Sequence, residues 1–392
     1  MRDDDTTRQA APTRRDYVKY GSAVAVGGGL AGCSDLLGRT GDEGSSATPE
    51  SSPYTVEMAP AGEVQFDTVP ETWMSYFSTY GDMGIALGQF DGMEAAIFAE
   101  NWPHRFYDYL PGTDLPTDEV EQLWSDGIPK ERFYELDADV HLMDPNFIQL
   151  LDDSWEEADF EEVDEEIGPI IGNVIRLRQG DWHDYEYYSL YEAFEKIAQV
   201  FQERERYEAL KSVHDEFISD LQSRLPAKSE RPEVGLLSVN DPFEEGTFSL
   251  YKVEAGNGKK QYQDLRMNDA FADLDPKEAK DVDYEVLLDI DPDVLVFQYA
   301  VSHVDQETFE EKKATLRNSD IGSQLTAVQN DRLYPGGTAY QGPIINLFQT
   351  EMAAKQFYPD VFGEWRGYET FGAESEWLFD KRRVANIIRG EF

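Results

Sequence analysis

A single cysteine, Cys33, in 392 residues leaves no partner for an intramolecular disulfide and no thiolate set for a zinc or iron–sulfur centre. Stability has to come from packing. Basic residues are scarce: Lys and Arg number 34 against 79 Asp and Glu, a formal net charge of -45. No basic stripe is present to follow a phosphate backbone, which argues against nucleic acid as a partner. The apolar stretch from Gly21 to Gly32 is too short and too rich in glycine for a transmembrane helix. Five histidines, His104, His141, His183, His214 and His303, are scattered without the short spacing that direct coordination of a bare zinc or manganese ion favours. Catalytic frameworks are missing as well. There is no Gly-x-Ser-x-Gly elbow, no His-Glu-x-x-His helix and no phosphate-cradling Gly-x-x-x-x-Gly-Lys; Asn257-Gly258-Lys259 reads only as a turn. No enzyme is expected.

What is present starts with acid and aromatics together. Aromatic residues make up 13% of the chain, so the acidic excess coats a folded protein and does not mark a disordered tail. Such a surface repels itself at low ionic strength and becomes tolerable where the Debye length shrinks to roughly 3 Å in molar salt, which points to a salt-loving organism. Acid runs from Asp152-Asp153 to Glu165-Glu166 read as solvated faces.

The start of the chain reads as an address. Arg14-Arg15, followed by small residues and then Leu30-Ala31-Gly32-Cys33, has the order of a twin-arginine export signal with a lipidation site over residues 1–33. The mature protein is expected to begin at Cys33, with its thiol lipid-modified and the chain tethered to the outer face of the cell membrane. Residues 34–60, rich in Gly, Ser, Thr, Pro and Glu, read as a flexible linker.

The rest exceeds what one core comfortably organises, so two lobes are expected. Leu190, Phe194, Ile197, Val200, Tyr207, Leu210, Val213, Phe217 and Leu221 recur at helical spacing until Pro226, predicting a connecting helix over 189–225. Short apolar runs such as 234–239 and 294–297 read as buried parallel strands. The fold class is therefore α/β: an N-terminal lobe over 61–188 and a C-terminal lobe over 226–392, each with a mostly parallel sheet flanked by helices, joined by one long helix. An internal echo supports the division. Glu131 to Asp139 and Glu285 to Asp293 have the same spacing, and both stretches read as a short helix with an acid in its first turn, a turn, then a strand.

With these stretches in order, the chain resembles the substrate-binding proteins of ABC importers for iron complexes, the group that also serves cobalamin and haem; its acid excess is of haloarchaeal type. The resemblance rests on Ile85-Ala86-Leu87-Gly88 with Phe90-Asp91-Gly92-Met93, on Leu288-Asp289-Ile290-Asp291-Pro292-Asp293-Val294, on 325–334 and on 357–362. It implies a ligand cleft between the lobes, a small hinge, an ABC permease with its ATPase as partner, and a monomer that makes and breaks no bond. Glu131 and Glu285 match the positions from which the family docks on its permease. No resident cofactor is implied; an iron chelate would be cargo. Cleft candidates on loops after strands are Trp102, Arg105, Trp182, Tyr299, His303 and Tyr340, with Arg176 and Arg178 as further anion partners. At Val69 to Met74 the sequence departs from the family by placing Trp73 where an arginine often stands. Cobalamin, haem and a bare metal ion remain open as cargo.

Overall fold

The computed structural model of the chain describes residues 52–275 and 282–392. Arg14, Arg15, Cys33 and most of the expected linker lie outside the described residues. The linker gives way earlier than its composition implies. Strand β1 (Tyr54–Met58) pairs antiparallel with β2 (Gly62–Phe66), because Val56, Met58 and Phe66 alternate with polar residues and bury one face. The Tyr54 hydroxyl donates to the Val200 carbonyl, and the Tyr188 hydroxyl accepts from Ala59 N–H at 3.1 Å, fixing the hairpin to the body.

The first lobe holds a parallel sheet of β3 (Trp73–Tyr76), β4 (Met93–Ile97), β5 (Glu121–Gln122) and β6 (Val140–Leu142) in the order β5-β4-β3-β6. All four residues of β3 are buried, as a central parallel strand covered on both faces requires. The second lobe contains β7 (Glu233–Ser238), β8 (Thr247–Phe248), β9 (Leu250–Tyr251), β10 (Asn268–Asp269), β11 (Val282–Asp283), β12 (Val294–Gln298) and β13 (Leu333–Pro335). Its main sheet runs β10-β7-β12-β13 in parallel, with β9 antiparallel to β7, and β8 and β11 form a small antiparallel pair. Alternate residues of β7 and β12 serve two cores. Val234, Leu236, Val294 and Val296 join a large core shared with the first lobe, while Leu237, Leu295 and Phe297 face a smaller one within the second lobe.

The run expected as one helix over 189–225 is divided. Ser189 caps a first helix, Leu190–Val200, through a reciprocal box with Glu192. Gln202 then takes a left-handed conformation (φ 56°), which ends the ladder, and the connecting rod proper is the 21-residue helix Arg204–Arg224. A second crossing was not anticipated. Helix Pro343–Phe357, buried along its whole length, packs on both lobes. Helix Lys381–Arg389, whose Val384, Ile387 and Ile388 need cover, returns to the rod and to the first lobe, where Arg389 donates to the Pro111 carbonyl at 3.1 Å. The C-terminal stretch is thus part of the spine and not confined to the second lobe.

The internal echo has a structural cause. Helices Lys130–Leu136 and Tyr284–Ile290 both end on an aspartate in the left-handed region, Asp137 (φ 48°) and Asp291 (φ 47°). Two residues further, Asp139 accepts from the N–H groups of Glu71 and Thr72 at 2.9 and 3.0 Å, and Asp293 from that of Glu233 at 2.9 Å. Each aspartate anchors the start of its lobe's leading strand.

Candidate functional site

The parallel strands β3, β4, β7, β12 and β13 present their C-terminal tips toward the junction of the lobes, the position at which open α/β sheets bind ligands. At three tips the first residue beyond the strand is aromatic and left-handed: Phe77 after β3 (φ 52°), Phe98 after β4 (φ 56°) and Tyr299 after β12 (φ 72°). For bulky side chains this conformation is strained, and such strain collects at functional sites.

The larger cavity here measures about 630 Å³, and its walls include Arg176, Ser238, Asn240, Tyr251, Lys259 and Tyr299. Arg176 arrives from the first half of the sequence on a segment that crosses to the second lobe. Asn257 and Gly258 donate their N–H groups to the carbonyls of Ile175 and Arg176, both at 2.9 Å, which sets Arg176 beside Lys259. The Arg176 guanidinium lies 5.1 Å from the Tyr340 ring centre and 5.9 Å from that of Phe147, and its buried Nε has no hydrogen-bond partner. Lys259 Nζ lies 4.7 Å from the Tyr251 ring centre and 5.8 Å from that of Tyr299. Burial, then the neighbouring Arg176, push the Lys259 pKa down to about 7. Its sequence neighbour Lys260 is paired with Asp264 at 2.6 Å; Lys259 has only the more distant pull of Glu254 and Asp269.

A smaller chamber of about 220 Å³ lies alongside, with Phe77, Phe98, Asn101, Trp102, His303 and Tyr340 in its walls. Tyr340 stacks face to face on Phe77, centroids 4.0 Å apart and planes within 1°. Its phenol is pushed up to about 12 by burial, against the opposing pull of Arg176.

Four of the six expected cleft residues, Trp102, Tyr299, His303 and Tyr340, therefore meet at the junction. Arg105 and Trp182 do not. Arg105 lies 4.3 Å over the Tyr368 ring, and Trp182 stacks on His183 at 5.3 Å; neither lines either chamber. Arg178 is likewise occupied, donating to the carbonyls of His183 and Tyr185. Phe77 and Lys259 were missed: no motif singles out the first, the second reads as part of a turn, and only a left-handed backbone and a crossing segment bring them to the cleft. Glu131 and Glu285 are both exposed in the first turns of their helices. Among the described residues no three His, Cys, Asp or Glu side chains form a group able to hold a metal ion, and no helix there is long and apolar enough to cross a membrane.

Residues 125–339, more than half of the chain, match the family model described as periplasmic binding protein. The chain belongs to this family. Its members bind solutes for transport and are not enzymes, and membership implies an extracytoplasmic location. A search of the curated proteins finds no match. Among solved structures the chain is similar to the iron uptake ABC transporter substrate-binding protein PiuA of Streptococcus pneumoniae, with 17% identity over 78% of this chain and 98% of that one and a TM-score of 0.55. It is also similar to the petrobactin-binding protein YclQ of Bacillus subtilis, with 14% identity over 86% and 99% and a TM-score of 0.52. A periplasmic binding protein of Veillonella parvula gives 13% identity over 79% and 92% and a TM-score of 0.54. At these identities the likeness establishes the fold of this binding protein and leaves its cargo to the site.

Proposed function

We propose that this protein is the extracytoplasmic receptor of an ABC importer, held to the membrane through a lipid on Cys33 after export by way of Arg14-Arg15, and that it captures an anionic iron chelate bearing aromatic rings. The observation that carries the reading is the pair Arg176 and Lys259, set with Tyr251 and Tyr299 in a cavity of about 630 Å³. Asp241 and Glu254 share the wall of this cavity, yet two cations facing it in a chain of net charge -45 favour a negatively charged guest. Tyrosine faces favour flat rings.

Docking through Glu131 and Glu285 is supported by what stands beside them. Tyr134, one helical turn from Glu131, is 46% exposed, and Val286, next to Glu285, is 41% exposed; both are exceptions in a chain that buries its large apolar residues. Each lobe thus offers a carboxylate with an apolar neighbour to a permease, and the protein acts as a monomer in a salt-rich medium.

The test is a titration of the purified protein in molar salt with ferric tris-catecholate, a neutral ferric trihydroxamate, haem and cobalamin, followed by calorimetry. Tight binding of the catecholate, weakened at least tenfold by Arg176→Ala, is expected from the loss of a buried charge-assisted contact. Preference for cobalamin or for the neutral chelate would overturn the choice of cargo.

A further inference from the structure

A column of stacked groups runs from Arg176 in the wall of the larger cavity to Tyr340, Phe77 and Phe98 in the wall of the smaller chamber. The Arg176 guanidinium lies over Tyr340 at 5.1 Å; Tyr340 lies on Phe77 at 4.0 Å; Phe77 on Phe98 at 5.1 Å with planes 28° apart; and Phe98 on Trp124 at 4.7 Å with planes 30° apart. The members are held very differently. Phe77 and Phe98 are fixed by left-handed backbones at strand tips, a conformation with no freedom to spare. Tyr340 comes from the loop after β13. Its backbone is tied at both ends, N–H to Thr338 Oγ1 at 3.2 Å and carbonyl to Ser78 Oγ at 2.5 Å, but no hydrogen bond from another described group holds its phenol oxygen. The ring is thus held by stacking on Phe77 and by the Arg176 guanidinium above it, and it can rotate away about its own side-chain bonds without moving the main chain.

Behind it the smaller chamber is furnished for a guest. Trp102 packs over Gly81, where a Cβ would collide with its ring, and its buried Nε1–H has no acceptor. His303 Nδ1 is engaged with Ser302 Oγ at 2.8 Å, and burial holds the ring below the usual histidine range, leaving a neutral imidazole in the wall.

Resting on the receptor reading above, we infer that Tyr340 is a movable partition: the ligand carries a flat aromatic arm that takes Tyr340's place on Phe77 and reaches into the smaller chamber, while its acidic end stays with Arg176 and Lys259. The occupant is an aryl group with an anionic substituent on the same limb, since the column presents ring faces below and a guanidinium above. A compact anion without a ring fills only the larger cavity and leaves the stack closed. The two chambers then select by length and flatness as well as by charge.

The experiment uses the full chain in molar salt, with 2,3-dihydroxybenzoate as the aryl probe and citrate as the ring-free one, followed by calorimetry and tryptophan fluorescence. Removing the partition with Tyr340→Ala spares the aryl probe the cost of breaking a stack. Its affinity is expected to rise about two- to tenfold, with citrate unchanged. Quenching by the aryl probe is expected to fall in Trp102→Phe, whose ring is silent at tryptophan wavelengths. Weaker aryl binding in Tyr340→Ala would make Tyr340 a direct ligand contact and overturn the partition. So would equal changes for both probes, no change for either, or no aryl binding by the variant. If ferric chelates fail to bind while the aryl preference holds, the receptor reading falls and the partition stands; chelate binding without that preference removes the partition alone.

Discussion

Lys259 shows how one side chain can set the pH response of the site. Its ammonium is sheltered among Tyr251, Tyr299 and Arg176, and its pKa is pushed down to about 7. In the free protein it loses its charge as pH rises through that value, whereas an anion in the cavity favours the charged form and draws a proton in. Affinity for an anionic chelate is therefore expected to fall between pH 6 and 9, by up to about tenfold per unit above pH 7. Lys259→Met should flatten that dependence and lower affinity at pH 6. A pH-independent wild-type isotherm would contradict the assignment. The effect on stability has the opposite sign: the unfolded lysine, with a pKa of about 10.4, binds more protons between pH 7 and 10, so this group's contribution to stability rises with pH over that window. None of this was legible from residues 257–259, because the low pKa comes from burial and from an arginine some eighty positions earlier in the chain. Trp102, Tyr299, His303 and Tyr340 were legible because each follows a strand and lies off any periodic apolar face. Arg105 satisfies the same rule but turns toward Tyr368, which the rule cannot see, and Trp182, expected after a strand, follows none and stacks on His183.

Helix Pro343–Phe357 has no cap from its own neighbours; Gly342 precedes it and offers no side chain. Asp82, from helix Phe77–Ala86 of the first lobe, supplies the cap, accepting from the N–H groups of Ile344 and Ile345 at 2.8 and 2.9 Å and from the Tyr107 hydroxyl at 2.8 Å. Asp82→Ala would leave three buried donors, the Ile344 and Ile345 N–H groups and the Tyr107 hydroxyl, without their acceptor and is expected to destabilise the protein by about 2–5 kcal/mol, measured by urea unfolding in molar salt. Asp82→Asn keeps an acceptor and should cost much less. Burial pushes the Asp82 pKa up to about 7, against the hydrogen bonds it accepts from Ile345, Tyr107 and Ile344, so the folded state holds a proton that the unfolded state has released by pH 5. Its contribution to stability is largest below about pH 4 and declines as pH rises to 7; Asp82→Asn should remove that slope, and a slope that survives the substitution would refute the assignment. Local sequence did foretell the two helix-turn-strand units, since Asp137 and Asp291 end their own helices, whereas the reach of Asp139 to Glu71 and of Asp293 to Glu233 left no local mark. A cap reaching across 262 positions is a different matter: no local pattern at either end records it.

Taken as a whole, the molecule is two sheets bound by a double spine, the rod Arg204–Arg224 and the buried helix Pro343–Phe357. Two crossings resist bending more than one, so only a modest hinge is expected, and selection falls to the walls of the cleft rather than to a large closure. The proposed docking acts at this scale. Reversing both Glu131 and Glu285 to lysine should abolish stimulation of the permease's ATPase in reconstituted vesicles while leaving chelate affinity within about twofold, because neither residue lines the cleft. Unchanged stimulation would rule out docking through these carboxylates. Period and composition by themselves determined the α/β class, the two lobes with a helical rod between them, and the acidic surface, because burial periodicity and net charge are properties of the chain read along its length. Which cations face a common cavity, which aromatic rings form a column and which carboxylate caps a distant helix were decided only by the tertiary structure. Those depend on left-handed residues at strand tips and on a segment that crosses between lobes, and both emerge only when distant parts of the chain meet.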